Sequence, residues 1–318
     1  MEPEYLYNFT NSSGYWRQID AVKGGRLKQG VNIPLLESLQ IPVPPLPEQR
    51  AIAGVLRTVQ RGKEACERVL AATRQLKQSL LHHLFTYGSV PFPQADKVEL
   101  RPTDFGDVPA SWPGSALSSC AHVQTGVAKG RNLHGSEVVE LPYLRVANVQ
   151  DGRLDLTEMK TIQLREREVN RFLLQPGDVV LTEGGDFDKL GRGFIWQGQV
   201  TPCVHQNHIF AVRADRKKLL PEFLSYLAQS RCGKAYFLSV AHKTTNLACI
   251  NTTKLKALPV LLPPLSEQRE IARQLSAVDG KLAALASRRA ALAALFTSLL
   301  HHLMTARRRL PEFAKSTK

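Results

Sequence analysis

The chain reads as an α+β protein, a β-rich domain joined to two long helices packed as an antiparallel coiled coil. Three observations predict this. Pro44-Pro45-Leu46-Pro47-Glu48-Gln49-Arg50 and Pro263-Pro264-Leu265-Ser266-Glu267-Gln268-Arg269 each open a long helical run. Aligned without a gap from Val31 with Ile250 to Thr86 with Thr305, the two copies share about 24 identities in 56 positions. Between the copies lie short alternating apolar segments separated by Gly and Pro turns, the pattern of strands.

The elements follow in order. Residues 1–44 read as the end of a mixed domain, with one helix, a Gly24-Gly25-Arg26 loop and a short strand at Ile41–Val43. Pro3-Glu4-Tyr5-Leu6 resembles Pro221-Glu222-Phe223-Leu224, so the first repeat is under way from its third residue. A segment this small cannot make a core alone and must lean on something else. Residues 45–88 hold the first helix, whose stripe is Ile52, Leu56, Val59, Leu70, Leu76, Leu80 and Leu84. About 40 residues at 1.5 Å rise make a rod of about 60 Å, longer than a globular helix needs. A linker occupies 89–104, beginning at Ser89-Val90-Pro91-Phe92-Pro93.

Residues 105–262 form the complete globular unit. Strands are expected at Val146–Val149 and Leu154–Leu156 around an Asp151-Gly152 turn, and at Phe172–Leu174 and Val179–Leu181 around Pro176-Gly177-Asp178. Others fall at Phe194–Trp196, His208–Val212 and Leu258–Leu262, with a helix at Pro221–Gln229. Residues 263–305 carry the second helix. Its seam Ile271, Leu275, Val278, Leu282, Leu285, Leu292, Phe296, Leu299 and Leu303 calls for a partner helix of similar length. The tail 306–318, with Arg307-Arg308-Arg309, reads as a solvated basic end.

Composition narrows the function. Lys plus Arg number 42 against 28 Asp plus Glu, a net charge of +14 in 318 residues, which favours a polyanionic partner. A merely basic surface is the plainer reading of the same number. The five cysteines are scattered and never form CxxC, which points to a reducing cytoplasmic setting without disulfide or structural zinc. No apolar run reads as long enough to span a bilayer, so no membrane partner is expected. There is no dinucleotide or phosphate loop, no Asn-Pro-Pro-aromatic signature and no convincing nuclease cluster. Glu183, Asp186 and Lys189 lie close in sequence but read as a solvated Gly-rich turn. His82-His83 and His301-His302 superficially suggest a metal, but adjacent helical residues face different ways. They read as favourable charge near helix C-termini, and no metal is assigned.

At the paired Pro-Pro-Leu-x-Glu-Gln-Arg motifs the sequence resembles the specificity subunit of type I restriction–modification systems. The intervening domain resembles a target recognition domain at Val108-Pro109-Ala110-Ser111-Trp112, Gln124-Thr125-Gly126 and Tyr143-Leu144-Arg145-Val146-Ala147-Asn148-Val149. The same likeness continues at Leu174-Gln175-Pro176-Gly177-Asp178-Val179-Val180 and Gln206-Asn207-His208. The resemblance implies a scaffold without chemistry or cofactor of its own, in which recognition domains read halves of a split site in double-stranded DNA. Modification subunits would methylate adenine with S-adenosylmethionine, and a restriction subunit would bring ATP and magnesium chemistry. A full member carries two recognition domains, and here residues 1–44 look like the C-terminal remnant of the first. The expectation is a truncated chain, an assembly scaffold, or a half-subunit that pairs with a second copy or another half-subunit.

DNA reading needs forked donors for guanine, amides for adenine and cations for phosphate. Three polar loops supply candidates: Lys129, Arg131 and Asn132; Lys189 and Arg192; Lys243, Thr244 and Thr245, with Asn246. Exposed solubilising charge is the bland account of each. Arg145, Asn148, Gln206 and Asn207 lie in motifs that serve the fold as much as the DNA. Glu48, Gln49 and Arg50, with Glu267, Gln268 and Arg269, recur at the first turn of each helix. Helix capping or docking of modification subunits would explain them.

Overall fold

The computed structural model describes residues 1–22, 31–131, 133, 137–150, 152–185, 190–243 and 248–314. The chain divides into two compact units, Leu76–Val278 and a composite of Met1–Gln75 with Asp279–Lys318. The long helices span Leu46–Tyr87 and Leu265–Met304, 42 and 40 residues, so each contributes to both units.

In the unit Leu76–Val278, β-branched and leucine-rich segments make a four-stranded antiparallel sheet. Its order is Gly193–Ile195, Val179–Thr182, Ile209–Ala214 and Ala121–Thr125. Val179–Thr182 is buried at every residue, as a central strand with covered faces must be. A second sheet sets Val138–Leu144 between Lys160–Arg165, antiparallel, and Val204–His205, parallel. A third is Gly184–Gly185, Ala248–Cys249 and His242–Lys243. Helices Pro221–Gln229 and Arg231–Val240 cover the main sheet with Phe223, Leu224, Leu227 and Phe237. The Ser230 hydroxyl accepts from the Gly233 N–H and caps the second of them. The same core takes in Leu81, Leu84 and Phe85 from one long helix and Ile271 and Leu275 from the other. The head of the expected seam is therefore spent on the globular core.

Several expectations shift. Phe172 ends a short helix, Val169–Phe172, and Leu173 makes a single bridge to Val204 rather than a strand. Val146–Asn148 is a helical turn, and the hairpin is the shorter pair Val149–Gln150 with Arg153–Leu154. Its Asp151 lies outside the described residues, whereas Gly152 supplies a φ of 71°. The closing strand Pro259–Leu261 forms as expected, antiparallel to Gly114–Ala116.

Among the described residues the composite unit holds three helices before the long one, Pro3–Thr10, Ser13–Val22 and Ile33–Glu37, where a single helix was expected. The Gly24–Arg26 loop lies outside the described residues. Ile41–Val43 is not a strand, because a strand needs a neighbour and no described segment pairs with it. Tyr5, Phe9, Ile52 and Leu56 pack with Leu300, Leu303 and Met304. Further along, Cys66 and Leu70 meet Leu285, and the Cys66 thiol donates to the Leu285 carbonyl at 3.3 Å. Low numbers on one helix meet high numbers on the other, so the helices run antiparallel through this unit. Leu76, expected on the stripe, is 54% exposed. The second long helix contains a window of mean hydropathy 1.3, long and apolar enough to cross a membrane, contrary to the sequence expectation. Its Leu282, Leu285 and Leu292 pack with Cys66 and Leu70 of the same chain.

Candidate nucleic-acid interface

The short motifs of the domain meet one another in space. Gly126 passes so close to the His205–Gln206 backbone that an added Cβ would lie 2.0 Å from the His205 carbonyl oxygen. The Val127 N–H donates to that oxygen at 2.7 Å, and the Asn207 N–H returns a bond to the Val127 carbonyl at 2.9 Å. Gln206 is buried, and its N–H donates to the Leu144 carbonyl. Asn148 is also buried: its Oδ1 accepts from the Arg145 N–H, and its Nδ2 donates to the carbonyls of Asp155 and Glu158. Asp178 accepts two bonds from Arg213, both at 2.8 Å, and a third from the Gln175 N–H. Asn148 and Gln206 thus hold the backbone from inside.

Burial pushes the His205 imidazole down to about 4, partly opposed by its bond to the Ile209 carbonyl. Its Nε2 and the Gln124 Nε2 are buried without a partner. Gln124 is a signal that spacing alone did not single out.

The stems of the three polar loops are stitched together. Asn207 bonds Val127 beside the first loop, Glu183 donates its N–H to the His208 carbonyl, and Ile250 donates to the Glu183 carbonyl. Glu183 precedes the second loop and Ile250 follows the third. Lys129 is exposed, with its Nζ 5.7 Å from the centre of the Tyr143 ring. The Arg131 Nη2 donates to both carboxylate oxygens of Glu168, at 3.0 and 2.9 Å, and those bonds hold the carboxyl below its usual range. Arg145 donates to the Glu158 carbonyl, and the Arg192 Nη1 reaches the Gln150 side chain at 3.4 Å. His208 bonds Glu183 at 2.6 Å, so Glu183 has a partner. The calls at Asn132, Asp186, Lys189, Thr244, Thr245 and Asn246 lie outside the described residues, as does the side chain of Lys243. Lys129, Asn207 and His208 therefore form the described polar edge, with Arg131 held beside it.

The repeated Glu-Gln-Arg triplet divides its labour. Gln49 is buried: its Oε1 accepts from the Glu2 N–H at 2.8 Å and its Nε2 donates to the Pro44 carbonyl. Gln268 does the same in the other copy, accepting from the Leu220 N–H at 2.9 Å and donating to the carbonyls of Pro263 and Lys218. Each amide pins the residue preceding a Pro-started helix to the start of a long one. Each Glu joins its helix start to the segment beyond the other long helix. Glu48 accepts both bonds of an Arg309 fork, at 2.9 and 2.7 Å, while Glu267 accepts from the Ser89 N–H and the Trp112 indole. Arg309 is thus no solvated end. Arg50 and Arg269 are exposed. His83 donates to the Val90 carbonyl and stacks on Phe92. His301 is held below its usual range by desolvation and by Arg307, His302 and Arg17, against the expectation of helix-end charge. No group of metal-ligating side chains occurs among the described residues.

Residues 117–293 match the family of the type I restriction modification DNA specificity domain. The chain is 27% identical to the type I restriction enzyme StySPI specificity subunit of Salmonella potsdam, over 86% of this chain and 58% of that protein. It is 26% identical to the EcoKI specificity subunit of Escherichia coli, over 85% and 57%. It thus spans a little over half the length of these relatives. The S subunit structure from M. genitalium shares the fold, with a TM-score of 0.57 at 16% identity over 96% of this chain and 73% of that one. Because the family match over residues 117–293 covers more than half of its residues, the chain belongs to the family of the type I restriction modification DNA specificity domain.

Proposed function

We propose that this chain reads double-stranded DNA through the joined stems of its three polar loops, and so directs adenine methylation and restriction by partner subunits in the cytoplasm. The observation that carries this is the hydrogen-bonded path from Val127 through Asn207, His208 and Glu183 to Ile250, which gathers three polar loops on one support. Lys129 and Arg131 supply cations there, and Asn207 supplies an amide suited to adenine. The net charge of +14 favours a phosphate backbone. S-adenosylmethionine, ATP and magnesium belong to the partner subunits in this reading.

A gel shift with the methyltransferase subunit present tests it. Sequence-selective binding that weakens with salt is expected, and K129A should reduce the salt slope by about 1. Binding that is neither selective nor salt-sensitive overturns the reading. Mapping adenine methylation across a host genome, with and without the gene, then gives the site read. The exposed Arg50 and Arg269, at matching places in the two copies, favour a second reading. In it the helices dock modification subunits even where no DNA is read.

A further inference from the structure

The main sheet of the unit Leu76–Val278 has two ends, and the polar loops occupy only one of them. Thr125, Thr182 and Ile209 lie at that end, where Gly126, Glu183 and His208 lead into the loop stems. Ala121, Val179 and Ala214 lie at the other. The strand Ile209–Ala214 runs from the first end to the second, and its 6 residues span about 20 Å of extended chain.

The far end is strongly basic. Residues 213–218 carry Arg213, Arg216, Lys217 and Lys218 against one acid, Asp215. Their backbone is held in place. The Asp215 N–H donates to the Cys120 carbonyl, the Lys218 and Leu219 N–H groups donate to the Asp215 carbonyl, and Leu219 is fully buried. Asp215 is engaged by its own turn, with its Oδ1 accepting from the Lys217 N–H at 3.1 Å. One turn, Pro176-Gly177-Asp178, sets two guanidinium groups. Asp178 fixes Arg213 by two bonds, and Gly177 lies so close to Arg216 that an added Cβ would stand 2.5 Å from its Nη2. The exposed side chains of Arg216 and Lys217 make no hydrogen bond among the described residues. The Lys218 Nζ donates to the Ser119 carbonyl at 3.2 Å.

We infer that this far end is a second contact surface for duplex DNA, held through phosphates without regard to sequence. Arg213 and Arg216 on one turn, with two lysines beside them, offer the planar and point charges that phosphate oxygens accept. No large apolar side chain is exposed across 213–219, so the patch lacks the anchor that a protein partner would bury. The described cations of the polar edge, Lys129 and Arg131, account for little of the net charge of +14, and Arg131 is tied to Glu168. Because the two ends of the sheet face apart, the DNA held here is a different segment from any that the loops read. The inference goes beyond that reading and does not depend on it.

The test is lysine acetylation of the full, unaltered chain, followed by mass spectrometry, with and without a short duplex of random sequence. With the duplex at about ten times its Kd, acetylation of Lys217 should slow about tenfold, and the protection should fade as salt rises. Lys129 reports the loops in the same sample. A protected Lys217 beside a reactive Lys129 supports the inference and tells against the loops. A Lys217 that stays reactive overturns the inference, whatever Lys129 does. Protection of Lys217 by polyglutamate but not by the duplex assigns the patch to an acidic protein, and also overturns it. The double variant R216Q with K217Q changes only exposed side chains and should keep the urea midpoint of the unaltered chain. It should lower the salt slope of binding to the random duplex by about 2, and an unchanged slope counts against the inference.

Discussion

His205 keeps one proton on Nδ1, which it donates to the Ile209 carbonyl at 2.8 Å, and its other nitrogen is buried without a partner. The unfolded imidazole binds a proton below about 6.5, the folded one only near 4, with Asp178 and Arg213 the charged neighbours. The unfolded state therefore binds more protons between these values, and stability is lost as pH falls through that window. Urea unfolding should show about 2 kcal/mol lost from this group between pH 7 and 5, and H205N should flatten that slope. Gln268 makes a second prediction. Q268L leaves the Leu220 N–H and two carbonyls without their partner, and should cost about 1–3 kcal/mol in the urea midpoint. Q49L should cost less, since Gln49 has two such bonds where Gln268 has three. The repeat showed in sequence that both glutamines mattered. It could not show why, because Leu220 lies 48 residues before Gln268 and only the fold brings them together. Asn148 and Gln206 are the same lesson in the candidate site: short polar motifs, legible as a set, whose side chain or backbone closes the fold.

Local pattern fixed the elements wherever the partner was also local or the periodicity long. Both long helices came within two residues of their expected ends, because proline stops and a sustained apolar stripe act within the chain. Strands were less legible, because a strand exists only with its neighbour. Pro259–Leu261 and Ile41–Val43 read alike, yet only the first pairs. The polar loops were recognisable by composition, but the hydrogen bonds joining their stems span 25 to 80 residues and have no sequence signature. Helix ends give a further prediction. Gly88 takes φ 80° just beyond the first long helix, and Ala306 takes φ 55° just beyond the second. A306G removes a Cβ from the left-handed region and should raise stability by about 1 kcal/mol, read as a higher urea midpoint.

The composite unit needs both ends of the chain. Tyr5, Phe9 and Leu56 find their core in Leu300, Leu303 and Met304, and Glu48 finds its cation in Arg309. A chain stopped after Val278 should lose amide protection across Pro3–Thr10 and Leu46–Leu70, while the unit Leu76–Val278 keeps a cooperative transition. R309A should lower the urea midpoint of the composite unit, because the 3% exposed Glu48 carboxylate loses its fork.

That arrangement also sets an order of events on the ribosome. The β-rich domain has all its described strands once Leu261 has been made, and Leu81, Phe85, Ile271 and Leu275 gather the stems of both long helices in its core. The helices Pro3–Thr10 and Ser13–Val22 must wait for Leu300, Leu303 and Met304, which are made long after them, so the surface of Tyr5 and Phe9 closes after the β-rich domain. A premature stop or a frameshift before Leu300 leaves that surface open.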